Sequence, residues 1–499
     1  MADSIQRRMA KSAAWMVLFK FVERGLGLVS TVILARLLLP SDFGVVAMAM
    51  SFISMAEVLT ALGFDIVLIH KQDASADHFH TAWTGNFLLG AAITSLMLAL
   101  ALPIAGFYHR PEVAWVVAAL AFGPLVSGCD NIGVVVFRKE LDFRREFRFQ
   151  VSRKVAGFVI TVPLAFVLRN YWALVVGMLF SRVAGTAISY LMHPFRPRFT
   201  LAHFGEFFHF SRWLLLNNVL EFLKDRSSDF FIGRINGATA LGVYNISYEF
   251  ARLPTSEISA PINRALLPSF ARMTGREEIA DAYRNAIGML ALLALPAAAG
   301  IFAVAPYLVP VIFGARWLEA IPLMQILVFP GVLFLLHSSI AAVLIGRGFP
   351  GRIATVNAID AVLLLTLLAV LPRYYGVAGA AYAVLITAVA GTPLFLHQVR
   401  RCLGVRAGVF AGAMIRPALA SLLMAAFVHW LLPADGAAMP VAQAALWLLA
   451  GIATGMTSYA VLVLALWKAA GGPAGPERIM LDRARGLLGH LRSRLKPDQ

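Results

Sequence analysis

The sequence predicts an all-α polytopic membrane protein of about 14 transmembrane helices: two six-helix bundles related by a parallel internal repeat, then a C-terminal helix pair. Three observations carry this. Hydrophobic residues make up 60% of the 499-residue chain and charged residues 14%, with mean hydropathy +0.76, against about 25% charged in soluble domains. Apolar runs of the roughly 18–20 residues that cross a ~30 Å hydrocarbon core recur along the whole length. Lys and Arg gather in alternate connections between them.

The first run, 12–36, follows Arg7, Arg8 and Lys11 as a signal peptide would. Lys20, Glu23 and Arg24 interrupt it and no small-residue cleavage site follows, so it reads as a first transmembrane helix. Spans 41–68, 80–104, 113–136, 150–168 and 171–192 complete a first bundle within residues 1–200. Spans 209–232, 239–267, 284–312, 320–345, 353–371 and 377–398 form a second within 201–405. Residues 406–470 hold the extra pair, 412–433 and 441–467, and "GGPAGP" (471–476) ends the membrane domain. The tail, 471–499, spaces Ile479, Ala484, Leu487, Leu488, Leu491 and Leu495 helically among arginines. It fits a basic amphipathic helix on anionic membrane lipids, with a disordered basic tail as the alternative.

The formal charge of +16 invites a nucleic-acid partner, but its distribution argues against one. One set of connections carries "FRKELDFRREFRFQVSRK" (137–154), Arg196, Arg198, Arg272, Arg276, Arg400, Arg401 and Arg406; the other is chiefly Arg36, Arg110, Arg169, Arg234, Arg316 and Arg373. The positive-inside rule then places both termini in the cytoplasm, which an even number of spans requires. Two cysteines, Cys129 and Cys402, offer no disulfide framework or cysteine-rich metal site.

The repeat appears as a constant shift. Trp15 meets Trp213 and Glu23 meets Glu221, 198 residues apart, and "ARLLLPSDFGV" (35–45) lies over "GRINGATALGV" (233–243), pairing Arg36 with Arg234 and Gly44 with Gly242. Further on the shift becomes 206, pairing Phe107 with Phe313, Arg110 with Arg316, Pro124 with Pro330, and "VAGT" 183–186 with "VAGT" 389–392. Six spans per repeat make both halves enter the membrane in the same sense, as in transporters that bind substrate between two halves.

Lys20, Glu23 and Arg24 share one helical face. Arg24 lies about 15 Å from either surface at ~1.5 Å rise per residue. A charge at that depth costs on the order of 2.5–3.5 kcal/mol on insertion scales and must be paired or face water. The seventh helix repeats the pattern with Asn217, Glu221, Lys224, Asp225, Ser228 and Asp229, and the eighth with Asn245, Tyr248, Glu249, Arg252, Ser256, Ser259 and Asn263. Ser54, Glu57 and Asp65 mark the second, Arg182 the sixth, and Asn357 and Asp360 the eleventh. Arg24, Lys224 and Arg252 read as lining an aqueous cavity; Glu221, Asp225 and Asp229 have local basic partners and read as structural pairs. His337 and Asp360 fit either role.

Sites of chemistry are scarce. "GRGFPG" (346–351) matches a dinucleotide fingerprint but joins two apolar helices and contains Pro350, so it reads as a turn. No phosphate-binding loop ending in Lys-Ser/Thr occurs, and His78 with His80 alone is weak metal evidence. No cofactor, metal or catalytic residue is assigned, and the short connections leave little room for an enzyme's acidic loops.

The stretch from "KSAAWMVLFKFVERGLG" through "ARLLLPSDFGV" to "ALGFDIVLI", with "FRKELDFRREF" between the fourth and fifth helices, resembles Wzx-type oligosaccharide flippases. These belong to the multidrug/oligosaccharidyl-lipid/polysaccharide exporter superfamily. The resemblance implies movement of undecaprenyl-pyrophosphate-linked oligosaccharides from the cytoplasmic to the periplasmic leaflet of the bacterial inner membrane, for exopolysaccharide or lipopolysaccharide assembly, alongside polymerase and export machinery. On that reading Lys20, Arg24, Arg182, Lys224 and Arg252 attract pyrophosphate. Asn245, Tyr248 and Asn263 meet sugar hydroxyls, and Glu57, Asp225 and Asp360 are candidate ion carriers. A peptidoglycan-precursor flippase, a multidrug exporter of the same superfamily and a membrane enzyme of glycan assembly are the alternatives.

Overall fold

The computed structural model describes residues 2–60, 64–71, 73–140, 142–273, 275–346, 349–403, 407–473 and 475–482; several stretches, including 206–217 and 257–269, are described as backbone only. The described residues are helical almost throughout and contain no strand. Nine of their helices are long and apolar enough to cross a membrane, and a bent pair makes ten. Adding the charged first helix and counting both halves of each helix broken at a glycine returns the expected total of about 14. The chain divides into two compact units, Met1–Val243 and Tyr244–Gln499.

The first unit opens with α1 (Ala2–Leu37), α2 (Pro40–Thr60) and the short α3 (Phe64–His70). The expected single span 41–68 is thus divided. The turn "LPSD" between α1 and α2 is held by Asp42, whose carboxylate accepts from Leu39 N at 2.8 Å and from Tyr171 N at 3.1 Å. One buried acid therefore satisfies two backbone donors 132 positions apart, Leu39 and Tyr171.

After α4 (Ala76–Tyr108) the expected span 113–136 is broken. It becomes α5 (Glu112–Leu120), α6 (Phe122–Gly128), a 3₁₀ turn and α7 (Val135–Lys139), with a 64° bend before the turn. The physical reason is Asn131, fully buried in the break. Its Oδ1 accepts from Gly133 N, its own N–H reaches Ser189 Oγ, and its Nδ2 donates to the carbonyls of His193 and Phe195 at 2.9 Å each. This side chain replaces the helical bonds the break gives up.

Next come α8 (Phe143–Leu168) and α9 (Trp172–Met192), which pack on one another and, through α8, on α1. The extended stretch 193–203 is strapped to the first unit. Arg198 N donates to His80 Nδ1 at 2.9 Å, Thr200 N to Thr84 Oγ1 at 3.1 Å, and the Phe199 ring packs on Trp83 and Phe87.

The long α10 (Phe204–Arg272) breaks at Gly237, whose φ of +86° suits glycine. Just beyond it lies a reciprocal contact inside the first unit. A Cβ on Gly44 would overlap the Ala238 carbonyl oxygen, and one on Gly242 would overlap the Pro40 carbonyl oxygen. Pro40 and Ala238, like Gly44 and Gly242, are partners at the repeat shift of 198. A contact in which i meets j′ and i′ meets j is the signature of a two-fold axis.

The second unit holds α11 (Arg276–Ile312), α12 (Ala320–Gly346), α13 (Pro350–Leu403), α14 (Ala407–Leu431) and α15 (Val441–Ala469). α13 joins two expected spans across Gly376, at φ +60°. Tyr283, Ile340, Val343, Phe395 and Val399 centre one core of this unit; Val304, Met424, Val428 and Leu448 centre another where α14 and α15 lie on α11. Beyond α15 the chain folds back, burying Gly475, Pro476 and Glu477. Residues 483–499 of the expected amphipathic tail lie outside the described residues.

Gly44→Ala should lower the thermal stability of the purified protein by about 1–3 kcal/mol, the usual cost of overpacking, read as an earlier melt in detergent. A second prediction concerns His193, whose Nδ1 accepts from Phe195 N at 3.2 Å and must be unprotonated to do so. Burial, then the Arg145 charge, hold this imidazole below its ordinary 6.5, against an opposing pull from Glu140. The unfolded chain takes up the proton more readily, so this stability is present above about pH 6.5 and is lost as pH falls towards the depressed folded value. Melting curves from about pH 7.5 to 5.5 should steepen less for His193→Gln than for wild type.

Candidate functional site

Two of the three helices that carry the predicted cations stand apart in composition. α1 and α10 are long enough to cross, yet neither is among the nine helices apolar enough to do so unaided. On α1, Lys20 Nζ pairs with Glu23 at 2.9 Å, and Lys154 of α8 approaches the other Glu23 oxygen at 3.6 Å. Glu23 thus answers two lysines, and Arg24, half-buried, is the further cation of that face.

Arg182 and Glu57 were separate expectations, one for substrate and one for an ion. They meet: Arg182 Nη1 donates to Glu57 Oε1 at 2.9 Å, with Ser127 Oγ at 3.4 Å. Beside them sits Asp130, in the break between α6 and the 3₁₀ turn. Its carboxylate accepts from the Thr186 hydroxyl and feels the charges of Arg153 and Arg182.

On the first half of α10, Lys224 is half-buried, Asp225 is exposed, and Asp229 pairs with Arg226 at 3.5 Å. In the second unit Arg252 Nη1 donates to the Tyr248 hydroxyl at 2.7 Å, and its guanidinium lies 5.0 Å from that ring's centre. Tyr248 stacks on the buried Tyr244, and Asn245 is half-buried on the same helix. Asn263, with Asn217 and Ser259, lies outside the residues whose side chains are described.

The paired "VAGT" motifs do the same structural work in the two units. In the first, Gly185 leaves room for the Arg153 stem and Thr186 binds Asp130. In the second, Gly391 leaves room for Asp360, whose Oδ1 would lie 2.7 Å from a Cβ there, and Thr392 binds His337 at 3.0 Å. His337 stacks on Phe395 at 4.3 Å, and Asp360 is 2% exposed. Each motif grips one acid and one base, in opposite order.

Sequence reasoning missed Asp130 and Arg153, because residues 113–136 read as one unbroken span and Arg153 as part of a basic connection. It also missed Glu477. This carboxylate, 1% exposed, receives Arg416 Nε at 2.8 Å. It closes one end of an apolar cavity of about 640 Å³ lined by α11, α14 and α15, including Pro296, Gly300, Met424, Gly451 and Tyr459.

A polysaccharide biosynthesis protein family model matches residues 33–322, more than half of the chain. The protein belongs to this family. Among curated relatives, the lipopolysaccharide biosynthesis protein WzxC of Escherichia coli K12 is 25% identical over 69% of this chain and 71% of its own length. The succinoglycan biosynthesis transport protein ExoT of Rhizobium meliloti 1021 is 26% identical over 92% and 93%. The teichuronic acid biosynthesis protein TuaB of Bacillus subtilis 168 is 26% identical, over 59% of this chain and 62% of its own length. Among solved structures, the lipid II flippase MurJ in an inward closed conformation superposes with TM-score 0.74 at 13% identity, covering 91% of this chain and 99% of MurJ. An inward-facing multidrug resistance MATE transporter of the MOP superfamily gives 0.61 at 16% identity, over 77% and 96%.

The resemblance to Wzx-type flippases holds: this polysaccharide biosynthesis family member is a multi-pass membrane protein of the transporter and flippase class, with the fold that MurJ and MATE proteins share. The family match runs from the last turn of α1 through the Asp42 turn, the broken span α5–α7, α8, α9 and α10, so it contains Glu57, Asp130, Arg153, Arg182 and Arg252, while Lys20 and Arg24 lie before it.

Arg416→Ala should leave a buried carboxylate unanswered and lower stability by about 3 kcal/mol, with Glu477→Gln in that background recovering most of the loss. Melting of the detergent-purified variants reads both effects.

Proposed function

We propose that this protein moves undecaprenyl-pyrophosphate-linked oligosaccharide repeat units from the cytoplasmic to the periplasmic leaflet of the bacterial inner membrane, supplying exopolysaccharide or lipopolysaccharide assembly. The observation that carries the reading is the placement of cations on α1, α9 and α10, helices otherwise long enough to cross hydrocarbon. A pyrophosphate cannot enter hydrocarbon alone, and cations held at that depth supply charge-assisted hydrogen bonds to it. Lys20, Arg24, Arg182, Lys224 and Arg252 take the anionic group on this reading, and Tyr248, Asn245 and Asn263 the sugar hydroxyls. The groove of about 640 Å³ beside α14 and α15, lined almost wholly by apolar side chains, suits a hydrocarbon chain.

Both termini lie in the cytoplasm, and the two six-helix bundles rock between inward and outward access. Asp360, buried beside Gly391 in the second unit, is the leading candidate for the coupling ion's carrier, with Asp225 the second. Polymerase and export machinery receive the product, and the basic tail rests on anionic lipid.

The test is translocation of a fluorescent undecaprenyl-pyrophosphate oligosaccharide in proteoliposomes. Wild type should move it, while Arg24→Ala and Arg252→Ala, inserted normally, should lose at least about tenfold in rate, as loss of a charged hydrogen bond predicts. Full activity in both variants would remove the cations from the path. Transport of a cationic dye in place of the lipid would mark a drug exporter.

A further inference from the structure

Arg182 is drawn towards two acids from different elements, and its path to them is unusual. Its stem passes α6 at Gly123, where a Cβ would sit 3.0 Å from both Cδ and Nε, tighter than ordinary contact. It then meets two acids from different elements, Glu57 of α2 directly and Asp130 by longer-range attraction. Arg153, its stem laid across Gly185, balances the second acid. These two bases and two acids balance one another in formal charge.

The set is not symmetrical in its hold. Asp130 is half-buried and anchored by the Thr186 hydroxyl, whereas the Glu57 and Arg182 side chains are 33% and 24% exposed and Glu57 reaches Arg182 through one oxygen. A phosphate offers more charge and more acceptor oxygens to the guanidinium than a single carboxylate oxygen does.

We propose that Glu57 is a built-in stand-in for the substrate's phosphate, occupying Arg182 until a phosphate displaces it, while Asp130 is a positioning residue that keeps Arg182 in place during the exchange. This rests on the phosphate-bearing substrate proposed above. The exchange leaves Glu57 without Arg182 in the loaded protein, so binding is registered on α2 as well as α9.

Farnesyl pyrophosphate binding to the full-length protein in detergent, measured by titration calorimetry, tests this, with farnesol as the phosphate-free control. Glu57→Gln, and Glu57→Ala as a second variant, should bind farnesyl pyrophosphate about threefold more tightly or better, because a competing anion worth up to ~1 kcal/mol is gone. Farnesol binding should not change. In an Arg182→Ala background the gain should vanish. Equal or weaker binding by both folded Glu57 variants, or a gain that persists without Arg182, would overturn the stand-in role and leave the substrate reading intact. Failure of folded wild type to bind farnesyl pyrophosphate at all would overturn both.

Discussion

Removing a charge from water at bilayer depth is the constraint on which the rest of this structure depends. Each ionisable group inside a helix needs a partner, and the partner comes from another helix often enough to decide which helices are neighbours. Glu23 ties α1 to α8 through Lys154, Glu57 ties α2 to α9 through Arg182, and Arg416 ties α14 to the segment beyond α15 through Glu477. For the pair whose acid is buried, Arg416 with Glu477, truncating the arginine is worse than never having the pair, since it strands the other charge. Function and fold therefore draw on the same residues.

The two "VAGT" motifs show how one packing solution serves two electrostatic ends. Glycine admits a long or charged side chain against the helix, and the threonine one place on binds the group across from it. The first unit fills these places with Arg153 and Asp130. The second fills them with Asp360 and His337. The same two motif positions thus hold a base and an acid in the first unit and an acid and a base in the second.

Most of the fold was legible because membrane spans announce themselves by length and apolar content, and the polar stripes by helical spacing. Gly237 and Gly376 hid nothing, since the spans on either side were already separate in the pattern. The broken fourth helix was not legible. The stretch "VSGCDNIGVVV" stays apolar enough to pass as one span despite Asp130 and Asn131, and the tertiary bonds of Asn131 are what make the break favourable. Pairing was equally hidden: a stripe says which face Arg182 occupies, but what opposes it depends on Gly123 opening a path to Glu57. Glu477 lies just past a Pro/Gly punctuation that ordinarily ends a domain, and nothing local marks it as returning to the core.

The reciprocal seating of Gly44 against Ala238 and Gly242 against Pro40 reads as history as well as geometry. Two separate copies of a half-length ancestor, meeting about a dyad, would have needed only one glycine in their common gene to make both contacts. Fusion into one chain freed the copies to drift. The turn before the first glycine has Pro40 and Asp42, while its counterpart has Ala238 and Ala240, with Gly237 at positive φ in the place of Leu39. Each glycine now has its own codon, yet neither can change alone without intruding on the other copy's backbone.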